Sequence, residues 1–229
     1  AVSADPRQGH GEHEVARSYV LYRERRTQER SRQREARAEA TVAHPVINVT
    51  DKGKTRPLDL AKVAALVQES CDGLGRAVDP DIIMQATLKD LYEGVPVDEV
   101  RKSLILSARA MIEKDPAYSY VTARLLLHSL RLETIGLELT QADMKTRYAE
   151  VFPLLIQKGI AAELLDERIG RYDLKSLGAV LDAKRDFKFG YLGLQILYDR
   201  YFLHVQGTRI ELPQTFFMRV AMGLALNEP

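Results

Sequence analysis

Residues 187–229 read FKFGYLGLQILYDRYFLHVQGTRIELPQTFFMRVAMGLALNEP, and this stretch decides the fold. Its apolar spacing gives a helix around Tyr191–Tyr201. Short strands are expected near Phe202–Val205 and Arg209–Leu212, on either side of Gln206-Gly207. Pro213 then opens a final helix, where a missing N–H costs nothing. Phe216, Phe217, Val220, Ala221, Leu224 and Ala225 make that helix apolar on most faces. A helix of this kind is buried, so it is expected to face the rest of a larger protein.

Upstream, Thr140 is a candidate N-cap, and helices are expected to about Asp182. Pro153 is expected to kink or end the first of them, because proline lacks the helical N–H. Residues 46–134 read as a hairpin followed by four helices. Val46 to Arg56 gives strand, turn, strand, with Asp51-Lys52-Gly53 at the turn. Asp59 caps a helix to about Ser70 with Val63, Leu66 and Val67 inward. Asp79-Pro80 opens a second helix, which carries Ile82, Ile83, Ala86, Leu88 and Leu91 and stops by Gly94. A third runs from about Val97 to Lys114, and a fourth from about Ala117 to Thr134. The architecture is therefore mainly α: a small β-hairpin over a helical bundle, then an all-helical domain with one short hairpin.

Residues 1–12 are small, polar and Gly/Pro-containing, and read as loop. From His13 the pattern turns helical, with Val15, Tyr19 and Tyr22 on one face. Beyond Tyr22 only charge continues, with seven Arg and four Glu between Arg23 and Glu39. The interleaved Glu and the lack of aromatics favour a solvated helical linker over a nucleic-acid arm. An internal echo links Ala16-Arg17, ahead of Tyr19 and Arg23, to Ala123-Arg124, ahead of Leu126 and Arg131.

Composition narrows the function. The 229 residues are 45% hydrophobic and 28% charged with net charge +1, ordinary for a globular chain and without general attraction to nucleic acid or membrane. No apolar run approaches the ~20 residues that span a bilayer. Cys71 is the single cysteine, so neither an intramolecular disulfide nor a CxxC zinc site exists. The chain opens at Ala1 rather than Met, and further sequence is expected upstream.

Isolated motifs carry little chemistry. Gly53-Lys54-Thr55 ends like a phosphate-binding loop, but the first glycine of that pattern falls on Asn48, and the context is a hairpin. His10, Glu12, His13 and Glu14 are metal-ligand types in an order that does not place two His on one helix face. His128 lies in an apolar helix without a carboxylate partner nearby in sequence. Cys71 stands beside Glu69 and Asp72, whose charge raises a thiol pKa and disfavours a nucleophile. Tyr118, Tyr120, Tyr191, Tyr198 and Tyr201 fall at helical spacing and read as core and interface aromatics.

YLGLQxLYDRYFLH (191–204) followed by ELPQxFFMRVAMGLA (211–225) resembles the N-terminal helical region of the large (alpha) subunit of class I ribonucleoside-diphosphate reductases. Residues 46–134 resemble an ATP-cone, the regulatory module of these enzymes. The resemblance rests on the hairpin, LDLAKV (58–63), DLYEGVPVDEV (90–100) and AYSYVTARLLL (117–127). HEVARSYVLYRERR (13–26) resembles the last helix of a second cone. The implied organisation is the end of an upstream cone and a charged linker over 1–45, a cone over 46–134, and the large-subunit helical domain over 135–229.

The resemblance implies a cytoplasmic oxidoreductase that makes deoxyribonucleotides for DNA synthesis. It implies ATP and dATP as allosteric effectors, and as partners the small (beta) subunit and a second large subunit, with no nucleic acid and no membrane. The family's chemistry uses a thiyl radical and a cysteine pair in an α/β barrel. With Cys71 alone, no catalytic residue and no metal are expected in this chain. Family cones that bind nucleotide typically carry Lys-Arg-Asp-Gly in the hairpin; here Thr50 and Asp51 precede Lys52-Gly53. Where a Thr and a His often follow the YEG turn, Val97 and Arg101 stand. Asp59, Lys62 and Lys52 remain as a vestigial nucleotide-binding set, so the cone is expected to fold and to bind ATP or dATP weakly or not at all. The alternatives are an ATP-cone transcription regulator, whose cysteine-rich zinc ribbon is missing here, and a helical interaction module.

Overall fold

A computed structural model describes residues 46–228 of the chain. The readings made on residues 1–45, namely the charged linker, the upstream helix, the His/Glu cluster and the internal echo, lie outside the described residues.

The fold starts with a tight hairpin. Strand β1 (Asn48–Asp51) pairs antiparallel with β2 (Lys54–Pro57), Val49 opposite Arg56 and Asp51 opposite Lys54. Lys52 and Gly53 form the turn with φ of 48° and 78°. Two left-handed residues in a row match the right-handed twist of the flanking strands, and glycine adopts that conformation without a Cβ penalty. Asp51 therefore belongs to the strand rather than to the turn. A third strand, β3 (Val95–Pro96), pairs parallel with β1 and gives the order β2-β1-β3. The carboxylate of Glu93 fixes this crossing, accepting from Asn48 N–H at 3.1 Å and from Asn48 Nδ2 at 2.6 Å.

Helix α1 (Leu60–Cys71) begins where the Asp59 carboxylate accepts the N–H of Lys62 at 3.0 Å. Helix α2 (Pro80–Asp90) begins with Asp79 accepting from Asp81 N–H at 3.0 Å and with proline in the first turn. Helix α3 (Val97–Ala110) follows β3 directly. Helix α4 (Tyr118–Ile135) ends at Gly136, whose φ of 79° closes the helix with an N–H bond to the Leu132 carbonyl at 2.8 Å.

Helix α5 spans Met144–Ala161 and continues past Pro153, which does not end it. Thr140 does not cap it directly. It opens the preceding turn, its N–H and Oγ1 both donating to Asp143 Oδ2 at 2.8 Å. Helix α6 (Leu174–Ala179) is capped by Asp173, which accepts from Ser176 N–H at 3.1 Å. Helix α7 (Tyr191–Ile196) widens into a π-helical turn over Leu197–Tyr201. The short hairpin of β4 (His204–Val205) and β5 (Thr208–Arg209) repeats the left-handed pair, with Gln206 at φ 51° and Gly207 at 79°. Its strands are shorter than the sequence suggests. Helix α8 (Pro213–Leu224) closes the described chain.

Helix α4 organises the interior. Val121 and Leu125 pack with Val67, Ile83, Leu104 and Ala108 from α1, α2 and α3. Ala123, Leu127 and Leu130, on its other side, pack with Met144, Tyr148, Leu194, Leu212 and Phe216. A helix apolar on nearly every face can serve two cores at once. The second core also holds a polar centre. Asp186, fully buried, accepts from Tyr148 Oη at 2.8 Å and from Gln214 Nε2 at 2.9 Å, with Arg131 Nη2 at 3.6 Å.

Candidate functional site

The one place where sequence-predicted site residues meet is a pocket between α1, α3 and the end of α4. Its floor is apolar, made of Leu58, Val63, Leu66, Val97, Val100 and Leu104. Its polar rim is Arg56, Asp59, Lys62, Arg101, His128 and Glu138. Asp59 and Lys62 come from the start of α1, where the capping bond between them sets their relative position. Lys52 does not join them. The left-handed turn puts it, exposed, at the hairpin tip, and it is not among the lining residues. Val97 and Arg101, singled out as departures from the family pattern, both line the pocket.

The rim cations already have partners. Arg56 Nη2 meets Asp51 Oδ2 at 3.3 Å, a pair across the hairpin. Lys62 Nζ donates to Glu138 Oε2. Arg101 donates through Nη1 to Asp98 Oδ1 at 2.5 Å and through Nη2 to Glu138 Oε1 at 3.4 Å. Burial alone would raise the Glu138 carboxyl. The hydrogen bonds and positive charge of Lys62 and Arg101 outweigh it and hold the group below its usual value.

His128 forms the inner wall, with its Nδ1 buried and without a hydrogen-bond partner. Burial pushes its pKa down to about 4; Glu138 opposes this, while Arg131, Arg101 and Lys62 reinforce it. The imidazole is neutral at pH 7. Glu138, from the loop after α4, acts on His128 through its charge and not as a partner of Nδ1.

Arg56, His128 and Glu138 were not predicted for this site. Arg56 could have been found from strand alternation, which turns it toward the same side as the start of α1. Glu138 has no local signal, since it sits in a loop placed by distant contacts.

Other candidate chemistry falls away. Cys71 is buried, and its thiol is pushed up to about 11, first by burial and then by Asp72 and Asp79, against the pull of Arg124. Desolvation is a larger cause than the neighbouring acids, and the Glu69 carboxylate is engaged elsewhere, by Gln141 N–H at 2.7 Å. Gly53-Lys54-Thr55 lies in the hairpin, not at a strand-to-helix turn. Among the described residues no group of three or more His, Cys, Asp or Glu is arranged to hold a metal ion. Tyr118 is a buried core residue whose hydroxyl accepts the N–H of Asp79 at 2.9 Å. Tyr198 donates to Glu133 at 2.9 Å, and burial followed by that carboxylate pushes its phenol up to about 12.

Known proteins are similar to this chain in sequence. The family described as ribonucleotide reductase, all-alpha domain, matches residues 187–229. The ribonucleoside-diphosphate reductase subunit alpha of Chlamydia trachomatis serovar D is 37% identical over 220 residues, covering 95% of this chain and 21% of that protein. The subunit alpha of Helicobacter pylori strain 26695 is 32% identical over 185 residues, 79% of this chain and 22% of its own length. The large subunit of Plasmodium falciparum isolate Dd2 is 24% identical over 180 residues, 77% of this chain and 22% of its own. The chain belongs to the ribonucleoside-diphosphate reductase large-subunit family. It spans about a fifth of the length of these relatives.

Proposed function

We propose that this chain is the N-terminal regulatory and scaffold part of a ribonucleoside-diphosphate reductase large subunit. The whole subunit would reduce ribonucleoside diphosphates to their deoxy forms, with ATP and dATP as effectors and the small subunit and a second large subunit as partners in the cytoplasm. Residues 46–134 act as an ATP-cone that folds but binds nucleotide weakly or not at all. Asp59 and Lys62 are what is left of its phosphate and base or ribose contacts, and Lys52 is a more distant remnant at the hairpin tip.

The observation that carries this reading is the pairing of all three rim cations, Arg56, Lys62 and Arg101, with carboxylates of the same chain. Phosphate recognition depends on cations and N–H donors free to make charge-assisted hydrogen bonds. The cavity is also small. Its volume is about 90 Å³, against roughly 300–1,000 Å³ for a site that encloses a small molecule. Further support comes from Asp59, whose Oδ1 is occupied in capping α1.

The catalytic step lies outside this chain, because its single cysteine is buried and held as a thiol. The apolar outer face of α8, with Phe217, Val220 and Leu224 exposed, is the surface it offers to the rest of the subunit. Isothermal titration of the 229-residue chain with dATP and with ATP tests the reading. No heat of binding is expected at micromolar nucleotide, and a micromolar Kd for dATP overturns it.

A further inference from the structure

Glu138 lies between two cations of the rim. One of its carboxylate oxygens takes Lys62 from α1, and the other takes Arg101 from α3. Among the described residues it is the only one of the rim that bridges two cations from separate helices. A carboxylate with two oxygens, each facing a different cation, presents the same charge and the same acceptor geometry as one edge of a phosphate.

The loop that carries Glu138 is fastened on both sides. Gly136 ends α4 in a left-handed conformation, and Leu139 next to Glu138 is buried in the second core. Two residues further on, Gln141 N–H donates to Glu69 of α1 at 2.7 Å, and Gln141 Nε2 donates to the Ala183 carbonyl at 2.6 Å. Its Oε1 accepts from Arg131. The backbone that carries Glu138 is thereby held in place, and its side chain, 31% exposed, reaches the rim from there.

We propose that Glu138 is the specificity determinant of this pocket: an internal anion that neutralises Lys62 and the Nη2 edge of Arg101 and excludes polyphosphate ligands from the rim. The inference rests on the reading of residues 46–134 as a nucleotide-poor cone and gives that poverty a residue and a mechanism. An incoming triphosphate must displace a carboxylate that is already paired with both cations. It must also approach that carboxylate's charge at close range, where like charges repel in a partly dehydrated site. Without the negative charge, Lys62 and the Nη2 edge of Arg101 become free donors above the apolar floor of Val63, Leu66 and Val97, against which a base or sugar can lie.

The test is isothermal titration of the 229-residue chain with inorganic tripolyphosphate and with ATP, for the wild type, Glu138→Gln, Glu138→Ala and the double variant Glu138→Gln/Lys62→Met. Far-UV circular dichroism melts confirm that each variant is folded. Glu138→Gln keeps shape and removes charge, and Glu138→Ala guards against a glutamine that blocks the pocket. The expected result is binding at least about tenfold tighter in one or both single variants than in wild type, weakened by salt and lost again in the double variant. Folded single variants that bind neither probe better than wild type overturn the role of Glu138 and leave the weak-cone reading standing. A gain that survives Lys62→Met overturns the assignment of the freed cation. Micromolar ATP binding by the wild type overturns both readings together.

Discussion

Gly178 of α6 lies directly on the backbone of Ala149 in α5. A Cβ at residue 178 would come within 3.1 Å of the Ala149 carbonyl oxygen and 3.3 Å of its Cα. Ala149 is four residues before Pro153, so its carbonyl is the one that proline leaves without a helical N–H. The helix survives its proline with α6 packed on that spot. Gly178→Ala adds a methyl against backbone and against Phe152, a fully buried side chain. The gain in helix propensity, about 1 kcal/mol, opposes the strain. Because the obstructing atoms are main chain, overpacking wins, and a net loss of about 1–2 kcal/mol is expected in urea unfolding. An unchanged or raised midpoint would show that α6 can lift off α5 freely.

Local chemistry makes much of this architecture legible in the sequence. Asp59 and Asp79-Pro80 announce helix starts because capping involves only neighbours in sequence, and Lys52-Gly53 and Gln206-Gly207 announce turns for the same reason. What stayed hidden depends on distant partners. Strand β3 is two residues long and exists only because Val95 meets Val49, 46 positions earlier. Pro153 reads as a kink or a helix end, since nothing near it in sequence reveals that Gly178 will cover the freed carbonyl. In the pocket, Asp59 and Lys62 came from the family resemblance, and their place at the start of α1 puts both on the rim. Glu138 was not, because Leu139 and Gln141 anchor its loop through contacts with residues far away in sequence. Lys52 was assigned from the resemblance of the hairpin to the Lys-Arg-Asp-Gly hairpin of family cones, and backbone geometry puts it at the hairpin tip.

Arg131 and Asp186 form the polar centre of the second core, with side chains 4% and 0% exposed. Asp186→Ala removes the acceptor for Tyr148 and Gln214 and leaves the Arg131 charge without its carboxylate. Breaking a buried pair from one side costs about 3–5 kcal/mol. Tyr148→Phe removes only one hydrogen bond to a charged group, so its loss is expected at roughly 1.5–3 kcal/mol. Denaturant titrations of the two variants check the order; a Tyr148→Phe loss as large as that of Asp186→Ala would count against the carboxylate as the organising group.

Stability should fall on mild acidification, and His128 is the reason. Its folded pKa is about 4, below the ordinary 6.5, because burial disfavours the imidazolium. Between these values the unfolded chain binds a proton that the folded chain does not. The stabilisation is therefore fully present above about pH 6.5 and is lost as pH falls toward the folded value. The difference in pKa corresponds to about 2–3 kcal/mol lost by pH 4.5. His128→Gln cannot titrate, so its unfolding free energy should decline less steeply over the same window. Parallel slopes for the two proteins between pH 7 and 4.5 would rule out this origin.

Two residues of helix α8 allow a contrast within one element. Phe216 is 9% exposed and stacks edge-on against Phe202 at 5.6 Å, inside the core built on α4. Its truncation to alanine removes transfer energy and leaves a cavity, at a cost of about 3–5 kcal/mol. Leu224, two turns along the same helix, is 79% exposed. Leu224→Lys changes a side chain that folding hardly desolvates, so stability should stay within about 0.5 kcal/mol of wild type. Thermal melts of the 229-residue chain separate these outcomes, provided each variant is compared at equal concentration. A large loss from Leu224→Lys would mean that this face is covered in the chain by itself, and its apolar character would then be explained by internal packing.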